Sequence, residues 1–474
     1  MDQLTYLEKL KKLNSIKHEI KKKRIFFDET KTMFGFNTMS QLIKVKNTSE
    51  VKGYPFVIYN DNDSDSESKN KMKNQKYGLK IIPVENKYEK HEHPSHLEFM
   101  LLQYLTENIV NKQISPHIVH FLGHFKISNK SKAVKHLNLK RLEVENKIRH
   151  HSNVIISEFV EGKSIDNWVH DIYENDEKIS DIQWKTIAFQ LIYTIHVMQK
   201  YYKLTHNDFH YGNILIDNTI KPEGYYVYKV NNKTYYIPNT GIIPKIFDFE
   251  YAMAYSNYIE DSYPNKFIVG HCTYNRYTHT SIINNKSDLD DDDDNVPYNY
   301  NEFYDVHYFL TSLLDLFISE ELFNWVLSVY PEEVIPPDNI TTSNDSSDSL
   351  KSNSSDNSSD NSSDNSSDNS SDNSSDNSSD NSSDNSSDNS SDNSSDNSSD
   401  NSSDNSSDNS SDNSSENSSD GSKYIIQGRL VNGVENEFKL PKPLELLEND
   451  FFKIFLIKPD DFNESTAVYF TCKN

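Results

Sequence analysis

The two stretches that decide how this chain folds are THNDFHYGNILID, at Thr205–Asp217, and KIFDFEYA, at Lys245–Ala252. The first contains Asp208 and, five positions later, Asn213, and the second contains Asp248 after a short apolar run. Mg²⁺ prefers oxygen ligands and is often held by one or two protein groups together with phosphate oxygens. Phosphoryl transfer requires mainly accurate positioning and charge neutralisation, so few residues suffice. Two carboxylates and an amide in this order therefore indicate a site for Mg²⁺ and a phosphate.

One low-complexity tract explains most of the negative charge of the chain. Residues 353–420 are 17 tandem Asn-Ser-Ser-Asp tetrads, with Glu416 replacing one Asp, and without their 17 acidic side chains the net charge of −25 would be −8. The tract has no apolar side chains to bury, and Ser and Asn compete with helical hydrogen bonds, so we expect it to be disordered. The rest of the chain is mildly acidic and long enough for a sizeable core, and its charge balance does not predict nucleic-acid binding.

The cysteine content and the hydropathy pattern bear on location. Cys272 and Cys472 are the only two cysteines of the 474 residues, which favours a reducing compartment over a disulfide framework. The N-terminal residues lack the apolar segment of a signal peptide, and no run of about 18 apolar residues occurs. We therefore expect an intracellular, cytoplasmic protein that is neither secreted nor membrane-spanning.

Hydrophobic periodicity divides the chain into a strand-rich part followed by a helical part. Strand-like runs occur at QLIKVK, YPFVIY, YGLKII, His117–Phe125 and Asn153–Gly162. Helical periodicity occurs in a basic amphipathic N-terminal segment at 1–30 and again at 94–110, Ile182–Tyr202 and Tyr304–Ile318. We expect the N-terminal helix to pack on the main domain. Tyr225–Pro238, with two Tyr-rich runs around Asn231 and Asn232, predicts a β-hairpin inserted between the two stretches quoted above.

Two residues upstream complete an ordered set. Lys80 lies in the strand-like YGLKII, and Glu98 lies in the helical HLEFMLLQYL. A cation must be held rigidly to neutralise phosphate, and a carboxylate on a packed helix can hold it. Together with Asp208, Asn213 and Asp248 downstream, these residues make the chain resemble a divergent eukaryotic-type protein kinase, similar to those of giant, mimivirus-like DNA viruses.

The resemblance implies ATP and Mg²⁺ as cofactors and a role for each matched residue. Lys80 would contact the α- and β-phosphates, with Glu98 as its partner. Asp208 would be the catalytic carboxylate that accepts or orients the proton of the substrate hydroxyl. Asn213 would belong to the same catalytic group, and Asn213 and Asp248 would hold Mg²⁺.

The resemblance also implies the remaining nucleotide contacts and the partners. Backbone groups at Glu158 and Val160 would contact adenine, and Gly35 is the remnant of the glycine-rich loop that cradles the phosphates. Asp305 would be the buried helix aspartate that bonds the catalytic-loop backbone, and His206 would brace that loop as a structural residue. The partners would be ATP and a protein substrate, with neither nucleic acid nor membrane, in the host cytoplasm or the virion.

The fold expected from the resemblance is an α+β, two-lobed protein-kinase-like fold, interrupted by a disordered low-complexity insertion. The N-terminal helix would span residues 1–30, the small β-rich lobe 31–160 and the helical lobe 161–340. The disordered tract would span 341–422, and residues 423–474 would complete the helical lobe.

Several departures from the protein-kinase pattern keep two other functions open. The arginine expected before the catalytic aspartate is Asn207, so activation-loop phosphorylation acting through that arginine is not expected. His210 replaces a lysine that contacts the γ-phosphate, and Glu250 replaces the glycine of the metal-binding triplet, which removes backbone freedom. HNDFHYGNIL and DFEYA thereby also resemble the choline and aminoglycoside kinases, which act on small molecules. The poor glycine loop leaves a nucleotide-binding pseudokinase as the third hypothesis.

Three further matches favour a protein kinase. Val269–Tyr274, VGHCTY, resembles the activation segment, although the Ala-Pro-Glu motif expected after it is missing. Pro443–Phe452, PLELLENDFF, resembles the last helices of the large lobe, and Pro116–Phe125 resembles the strand that follows the lysine-pairing helix. Because a shared fold does not fix the substrate, these local matches carry the decision. They favour a Ser/Thr-type protein kinase.

Deleting residues 353–420 is expected to leave folding and phosphoryl transfer intact, because the tract adds no apolar surface to a core. The thermal unfolding midpoint and the transfer rate of the shortened protein, compared with those of the full chain, check this. A shortened protein that no longer folds would show that the tract is more than a spacer.

Overall fold

The computed structural model describes residues 3–23, 54–59, 76–86, 94–130, 139–254, 300–336, 424–426, 429–430 and 434–473. The chain divides into two compact units, one of Met1–Tyr330 with Ile426–Asn474 and one of Pro331–Ile425, and the candidate site lies in the first. Four sequence predictions fall outside the described residues. They concern Gly35, the QLIKVK strand, Val269–Tyr274 and the tract at 353–420.

Helices and strands are mixed throughout the described residues. The α-helices are α1 (Tyr6–Lys23), α2 (Pro94–Leu105), α3 (Lys140–Val144), α4 (Ile165–Glu174), α5 (Asp181–Tyr202), α6 (Tyr304–Leu313), α7 (Glu320–Ser328), α8 (Val434–Glu437) and α9 (Pro443–Leu447). The strands are β1 (Tyr54–Tyr59), β2 (Lys76–Glu85), β3 (Phe121–Ser128), β4 (Ile148–Glu158), β5 (Leu204–Thr205), β6 (Ile214–Asp217), β7 (Tyr225–Val230), β8 (Lys233–Pro238), β9 (Ile243–Ile246), β10 (Met253–Ala254), β11 (Ile425–Ile426), β12 (Arg429–Leu430) and β13 (Val468–Cys472). This mixture, with its small sheets, confirms the α+β class. Among the described helices, none has the length and apolar content needed to cross a membrane.

The largest sheet contains four antiparallel strands in the order β1-β2-β4-β3. Its core side chains alternate along the strands, as the period of two requires, so that residues such as Leu79 and Ile81 point to one face. Leu13 and Ile16 of α1 pack into the same cluster, which places the N-terminal helix against this sheet. In the register of β2 and β4, Lys80 pairs with Ile155. The sheet thereby fixes the position of Lys80.

The long helix α5 is the centre of the second core. Ser180 begins it with a capping box, in which Ser180 and Gln183 exchange side-chain and backbone hydrogen bonds. Lys203 ends it in the left-handed conformation, with φ of 42°. Phe189 is fully buried and its ring contacts those of Tyr228, Tyr235, Phe452 and Phe455. Because β5 follows directly, the end of this packed helix sets where the Asp208 loop begins.

The predicted hairpin is present, and a distant strand joins it. β7 and β8 pair around Asn231 and Asn232, whose φ angles of 50° and 63° are those of a type I′ turn. β13 adds to the other edge of β7 in parallel, with Val468 opposite Tyr226. The ring of Phe470 on β13 stacks on the ring of Tyr228 at 5.0 Å. The segment after the repeat tract therefore completes the sheet that the hairpin starts.

Two boundaries differ from the prediction: the end of helix α2 and the start of strand β3. The second predicted helix keeps α-helical geometry only to Leu105 and continues as the π-helix Thr106–Val110. The hydroxyl of Thr106 accepts a hydrogen bond from the backbone amide of Phe121 at 2.9 Å. β3 begins there, four residues later than the strand predicted at His117–Phe125, because the backbone of His117 and Val119 bonds Ile246 instead.

The last predicted helix of the central region is also shorter than expected. It was predicted to reach Ile318, but α6 ends at Leu313. The hydroxyls of Thr311 and Ser312 donate back to carbonyls of the preceding turn, and the amides that follow make i to i+3 bonds. Such local bonds compete with the helical pattern and tighten its last turn.

Replacing Phe470 by Ala is expected to lower the free energy of unfolding by about 3–5 kcal/mol, because a fully buried ring is removed and leaves a cavity. Ile454→Ala is the control, since the Ile454 side chain is 54% exposed and its loss should change stability by less than about 0.5 kcal/mol. Urea unfolding of both variants and the wild type measures the difference. Equal effects would show that β13 does not belong to the core.

Candidate functional site

The loop that contains Asp208 is held by a buried carboxylate. Asp305, on α6, accepts hydrogen bonds from the backbone amide of His206 at 2.7 Å and from that of Asn207 at 2.8 Å. Burial raises the pKa of Asp305, while His206 and these backbone donors oppose the rise. Bonds to an ionised carboxylate are the stronger kind, so they fix the direction of the loop. This is the contact that the resemblance implied for Asp305.

Side chains of the Asp208 loop also bond the second quoted stretch, Lys245–Ala252. His206 donates from Nε2 to the backbone oxygen of Phe247 at 2.9 Å. The Asn207 amide donates from Nδ2 to the backbone oxygen of Tyr251 at 2.9 Å, and Asn207 itself has a left-handed backbone with φ of 62°. Asparagine is among the residues that tolerate this conformation best. Both side chains therefore join the two stretches, and His206 occupies the bracing position predicted for it.

Asn213 orients the Asp208 carboxylate. Its Nδ2 donates to Asp208 twice, to the backbone oxygen at 2.9 Å and to Oδ2 at 2.8 Å. The Asp208 side chain is 17% exposed, so it is reachable from solvent while being held. An amide whose nitrogen donates in this way presents its oxygen as the ligand atom for a cation. Asn213 thus orients the Asp208 carboxylate, and its side-chain oxygen is the atom that could hold a metal.

His210 faces Asp208 from the same loop. The backbone amide of Gly212 donates to His210 Nδ1 at 3.1 Å, so Nδ1 is the acceptor and Nε2 carries the proton of the neutral ring. Nε2 lies 3.8 Å from Asp208 Oδ2. A Cβ at position 212 would lie 2.7 Å from the imidazole, so a glycine here leaves room for the ring. The imidazole therefore presents an N–H toward the predicted catalytic carboxylate.

Lys80 lies at the centre of three carboxylates. Its Nζ is 3.0 Å from both side-chain oxygens of Glu98 on α2. It is also 2.7 Å from Asp248 Oδ1 and 3.2 Å from Glu250 Oε2. The structure thus brings together Lys80, Glu98 and Asp248, which the sequence predicted as a set, and adds Glu250 to them.

The charges of this cluster do not balance. Burial works against the ammonium of Lys80, but the three carboxylates outweigh it and raise the pKa of Lys80. Burial also raises the pKa of Glu98, with Asp248 and Glu250 adding to the effect and Lys80 opposing it. One oxygen from each carboxylate lies within 4.8 Å of the others. An excess of negative charge and a donor set made only of oxygen fit Mg²⁺.

A left-handed backbone at Asp248 aims its carboxylate. Asp248 has φ of 63° and ψ of 64°, and a 3-10 helix at Phe249–Tyr251 follows it. Phe249 is fully buried, and its ring lies 4.9 Å from that of His206. An uncommon conformation of this kind persists where the surroundings enforce it. Glu250 lies inside the 3-10 helix, a conformation open to any residue, so the site does not use the backbone freedom that a glycine would give there.

The two groups of predicted residues are neighbours. The backbone amide of Phe247 donates to the backbone oxygen of Asn213 at 3.2 Å, one residue before Asp248. Burial raises the pKa of the Tyr251 hydroxyl to about 12, and several carboxylates add to this rise, Asp208 and Asp248 among them. The Asp208 and Asp248 groups are therefore joined through Asn213, which bonds both the Asp208 carboxylate and the backbone of Phe247.

The Glu158 side chain holds the end of β4, where the backbone is expected to contact adenine. The Glu158 carboxylate accepts from the backbone amide of His120 at 2.8 Å and from Lys245 Nζ at 3.0 Å. The Glu158 amide in turn donates to the His120 backbone oxygen at 2.8 Å. Burial alone would raise the pKa of Glu158, but Lys245 and Lys9 outweigh it and lower this pKa to about 2. Val160, two residues on, is buried.

Gly162, which follows the segment at Glu158–Val160, packs closely against strand β6. A Cβ at this position would lie 1.4 Å from the backbone oxygen of Ile216, so no other residue fits without moving β6. The backbone amide of Ile216 donates to the oxygen of Lys163 at 2.8 Å. The segment after β4 is therefore bonded to the strand that begins directly after Asn213.

Three side chains of these contacts were not predicted from the sequence. Glu250 was noted only as a replacement for a glycine, Glu158 only for its backbone, and Lys9 only as part of the basic N-terminal segment. An acidic residue two positions after Asp248 was a usable signal for Glu250. A lysine between Tyr6 and Leu10 on an apolar-striped helix gave no comparable signal, because periodicity does not name the partner across the interface.

Replacing Asp305 by Asn is expected to lower the free energy of unfolding by about 1–3 kcal/mol, because the amide turns a donor group toward a backbone amide. Asp315→Asn is the matched control, an exposed position just beyond the same helix, where a change below about 0.5 kcal/mol is expected. Urea unfolding measures both. A loss at Asp315 as large as that at Asp305 would contradict the role given to the two loop bonds.

Comparison with known proteins gives distant relatives. No protein-family model matches the chain. It is 25% identical over 268 residues to R400 of Acanthamoeba polyphaga mimivirus, covering 51% of this chain and 52% of that protein. It is 24% identical over 257 residues to R301 of the same virus, covering 46% of this chain and 63% of that protein. Both are named as candidate serine/threonine-protein kinases.

A third relative is matched over a shorter region. A candidate serine/threonine-protein kinase of Dictyostelium discoideum is 34% identical over 80 residues, which is 16% of this chain and 7% of that protein. The chain spans about half the length of R400 and less than two thirds of R301. The recognition made from the motifs is confirmed: over about half of its length, at 24–25% identity, the chain is similar to mimivirus proteins named as serine/threonine kinases.

Proposed function

We propose that the chain is a two-lobed protein kinase that transfers the γ-phosphate of Mg-ATP to a serine or threonine hydroxyl of a protein. The observation that carries the proposal is the position of Lys80 Nζ, 3.0 Å from Glu98 and 2.7 Å from Asp248. In this proposal the four-stranded sheet with α2 is the small lobe, and the elements around α5 form the large lobe. The names of the mimivirus relatives support a protein as the acceptor.

The chemistry proposed for Asp208 is proton transfer from the acceptor. The substrate hydroxyl oxygen bonds to the γ-phosphorus, the bond from phosphorus to the ADP oxygen breaks, and the hydroxyl proton passes to the Asp208 carboxylate. Asn213 keeps that carboxylate in place through its 2.8 Å bond, and Asp305 holds the loop from the other side. These residues contribute position more than covalent chemistry, as the loose transition state of phosphoryl transfer requires.

Lys80 is proposed to change partners when nucleotide binds. It would keep its two 3.0 Å contacts with Glu98 and exchange those with Asp248 and Glu250 for oxygens of the α- and β-phosphates. Mg²⁺, held by Asn213 and Asp248, would neutralise phosphate charge. Adenine would lie against the backbone that follows β4. The excess of carboxylates around one ammonium supports this exchange, because it leaves acidic groups available to a cation.

A small-molecule phosphotransferase of the choline or aminoglycoside kinase type is the second candidate. Two observations favour it, the imidazole N–H of His210 facing Asp208 and the carboxylate of Glu250 at Lys80. Both residues stand where the protein-kinase pattern has a lysine and a glycine. The two candidates share the phosphate chemistry and differ in the acceptor.

Incubation with labelled Mg-ATP, generic protein substrates, choline and aminoglycosides tests the proposal. Label is expected in protein, and Asp208→Ala is expected to lower transfer about 10²–10⁴-fold, as for loss of a general base. Asp248→Asn should also lower transfer strongly, because a proposed metal ligand loses its charge. Asp176→Asn is the matched control: Asp176 is exposed, also has a left-handed backbone, and should leave transfer unchanged.

The other outcomes of this assay would each establish a different function. Label in a small molecule and none in protein would establish the second candidate. Bound nucleotide without any transfer, in a wild-type chain that is folded, would make the chain a pseudokinase and contradict the proposal.

A further inference from the structure

Lys9 of helix α1 points toward the protein interior. The inward side chains of this helix are buried and apolar for the most part: Tyr6, Leu10, Leu13 and Ile16. Lys9 lies among them, with only 16% of its side chain exposed. A buried ammonium is costly unless it is paired, so its partners identify what the helix is docked on.

The partners of Lys9 belong to two strands of the candidate site. Its Nζ donates to Asp217 Oδ2 at the end of β6 and to the Thr219 hydroxyl at 3.4 Å. It also lies 3.7 Å from Glu158 Oε2 at the end of β4. The carboxylates of Asp217 and Glu158 are almost fully buried. Lys9 therefore bridges the segment expected to contact adenine and the strand that follows Asn213.

A second buried lysine completes the network. Lys245, 3% exposed, bonds the other Glu158 oxygen at 3.0 Å and lies on β9 opposite Leu215 of β6. β9 leads to Asp248, and the backbone of its Ile246 bonds residues on both sides of Ile118. Two lysines thus neutralise two carboxylates, and removing either lysine leaves an excess of buried negative charge.

The network of Lys9, Lys245, Glu158 and Asp217 lies in the protein interior, where charges are only weakly screened. A small cavity beneath α1 is bordered by Lys9, Lys245 and Asp217 and by apolar side chains of the helix. His120 also borders it, and in the described part of the structure its two ring nitrogens have no hydrogen-bond partner. Charge interactions in such an interior are stronger than at a surface, so the position of Glu158 depends strongly on both lysines.

We propose that Lys9 is a positioning residue for nucleotide binding. By sharing the Glu158 carboxylate with Lys245, it fixes the backbone after β4, where adenine would lie, relative to the strand that leads to Asp248. The inference rests on the proposed function and extends it, because it makes a helix outside the motif-bearing region part of the nucleotide site.

The test compares three full-length variants, Lys9→Met, Lys9→Arg and Lys17→Met, with the wild type. Lys9→Met should raise the dissociation constant and the KM for Mg-ATP about tenfold with little change in kcat, because it removes binding rather than chemistry. Lys9→Arg keeps the charge and should restore most of the affinity. Calorimetry with Mg-ADP and initial rates with Mg-ATP provide the two readouts.

Lys17→Met is the matched control on the same helix. Lys17 pairs with Glu107 at 2.9 Å, and the Glu107 side chain is 45% exposed. Its removal loosens the docking of α1 without touching Glu158, so nucleotide affinity should stay at the wild-type value. An equal loss of affinity in Lys17→Met and Lys9→Met would overturn the proposal, since docking of the helix alone would then explain the effect. Wild-type affinity in Lys9→Met would also overturn it.

Two additions keep the test decisive. Should Lys9→Met not fold, Lys9→Gln, whose amide can still bond Asp217, should show the same loss of affinity. Amide hydrogen exchange at residues 157–161, measured without nucleotide, should rise in the Lys9→Met or Lys9→Gln protein and stay unchanged in Lys17→Met. Unchanged exchange overturns the inference. A wild-type chain that binds nucleotide without transferring phosphate contradicts the proposed function alone, because the affinity comparison still decides the role of Lys9.

Discussion

The two backbone bonds to Asp305 are the contacts on which the candidate site depends. A buried carboxylate must have its oxygens satisfied, and here the donors are the amides of His206 and Asn207. These two residues then extend side chains to the backbone at Phe247 and Tyr251, which frame Asp248. One carboxylate on α6 therefore orders two stretches that are far apart in the sequence. The polar residues of the site can stay partly exposed because the backbone beneath them is fixed.

The two lysine clusters near the site differ in charge balance, and the difference corresponds to their proposed use. Around Lys80, one ammonium faces three carboxylates, of which those of Asp248 and Glu250 are partly exposed, so a cation or a rearrangement can relieve the excess charge. Around Glu158, two ammonium groups face two carboxylates in the interior, so the charges neutralise one another. An unbalanced cluster is suited to binding, whereas a balanced one holds elements together.

Local patterns predicted the parts of the molecule that depend on neighbours in sequence. The polar residues of the quoted stretches stand out because apolar strand residues flank them, and Asn231 with Asn232 marks a turn that requires positive φ. Contacts between distant residues were beyond such patterns. The Thr106 bond that starts β3 and the pairing of Lys9 with Asp217 depend on side-chain geometry across an interface. Hydrophobic period gives the face of a helix that is buried, and the partner on that face is set by the tertiary fold.

The parallel pairing of β13 with β7 has a consequence for synthesis on the ribosome. Val468 pairs with Tyr226, so the hairpin must wait for a strand made more than 200 residues later, after the repeat tract has been translated. Until then, Tyr226 and Tyr228 lack the Phe470 ring that contacts them. Closing so long a loop adds only modest entropy cost, but the uncovered aromatic surface is exposed throughout elongation. A nascent chain of this protein therefore exposes, until β13 has been made, aromatic surface that the folded protein buries.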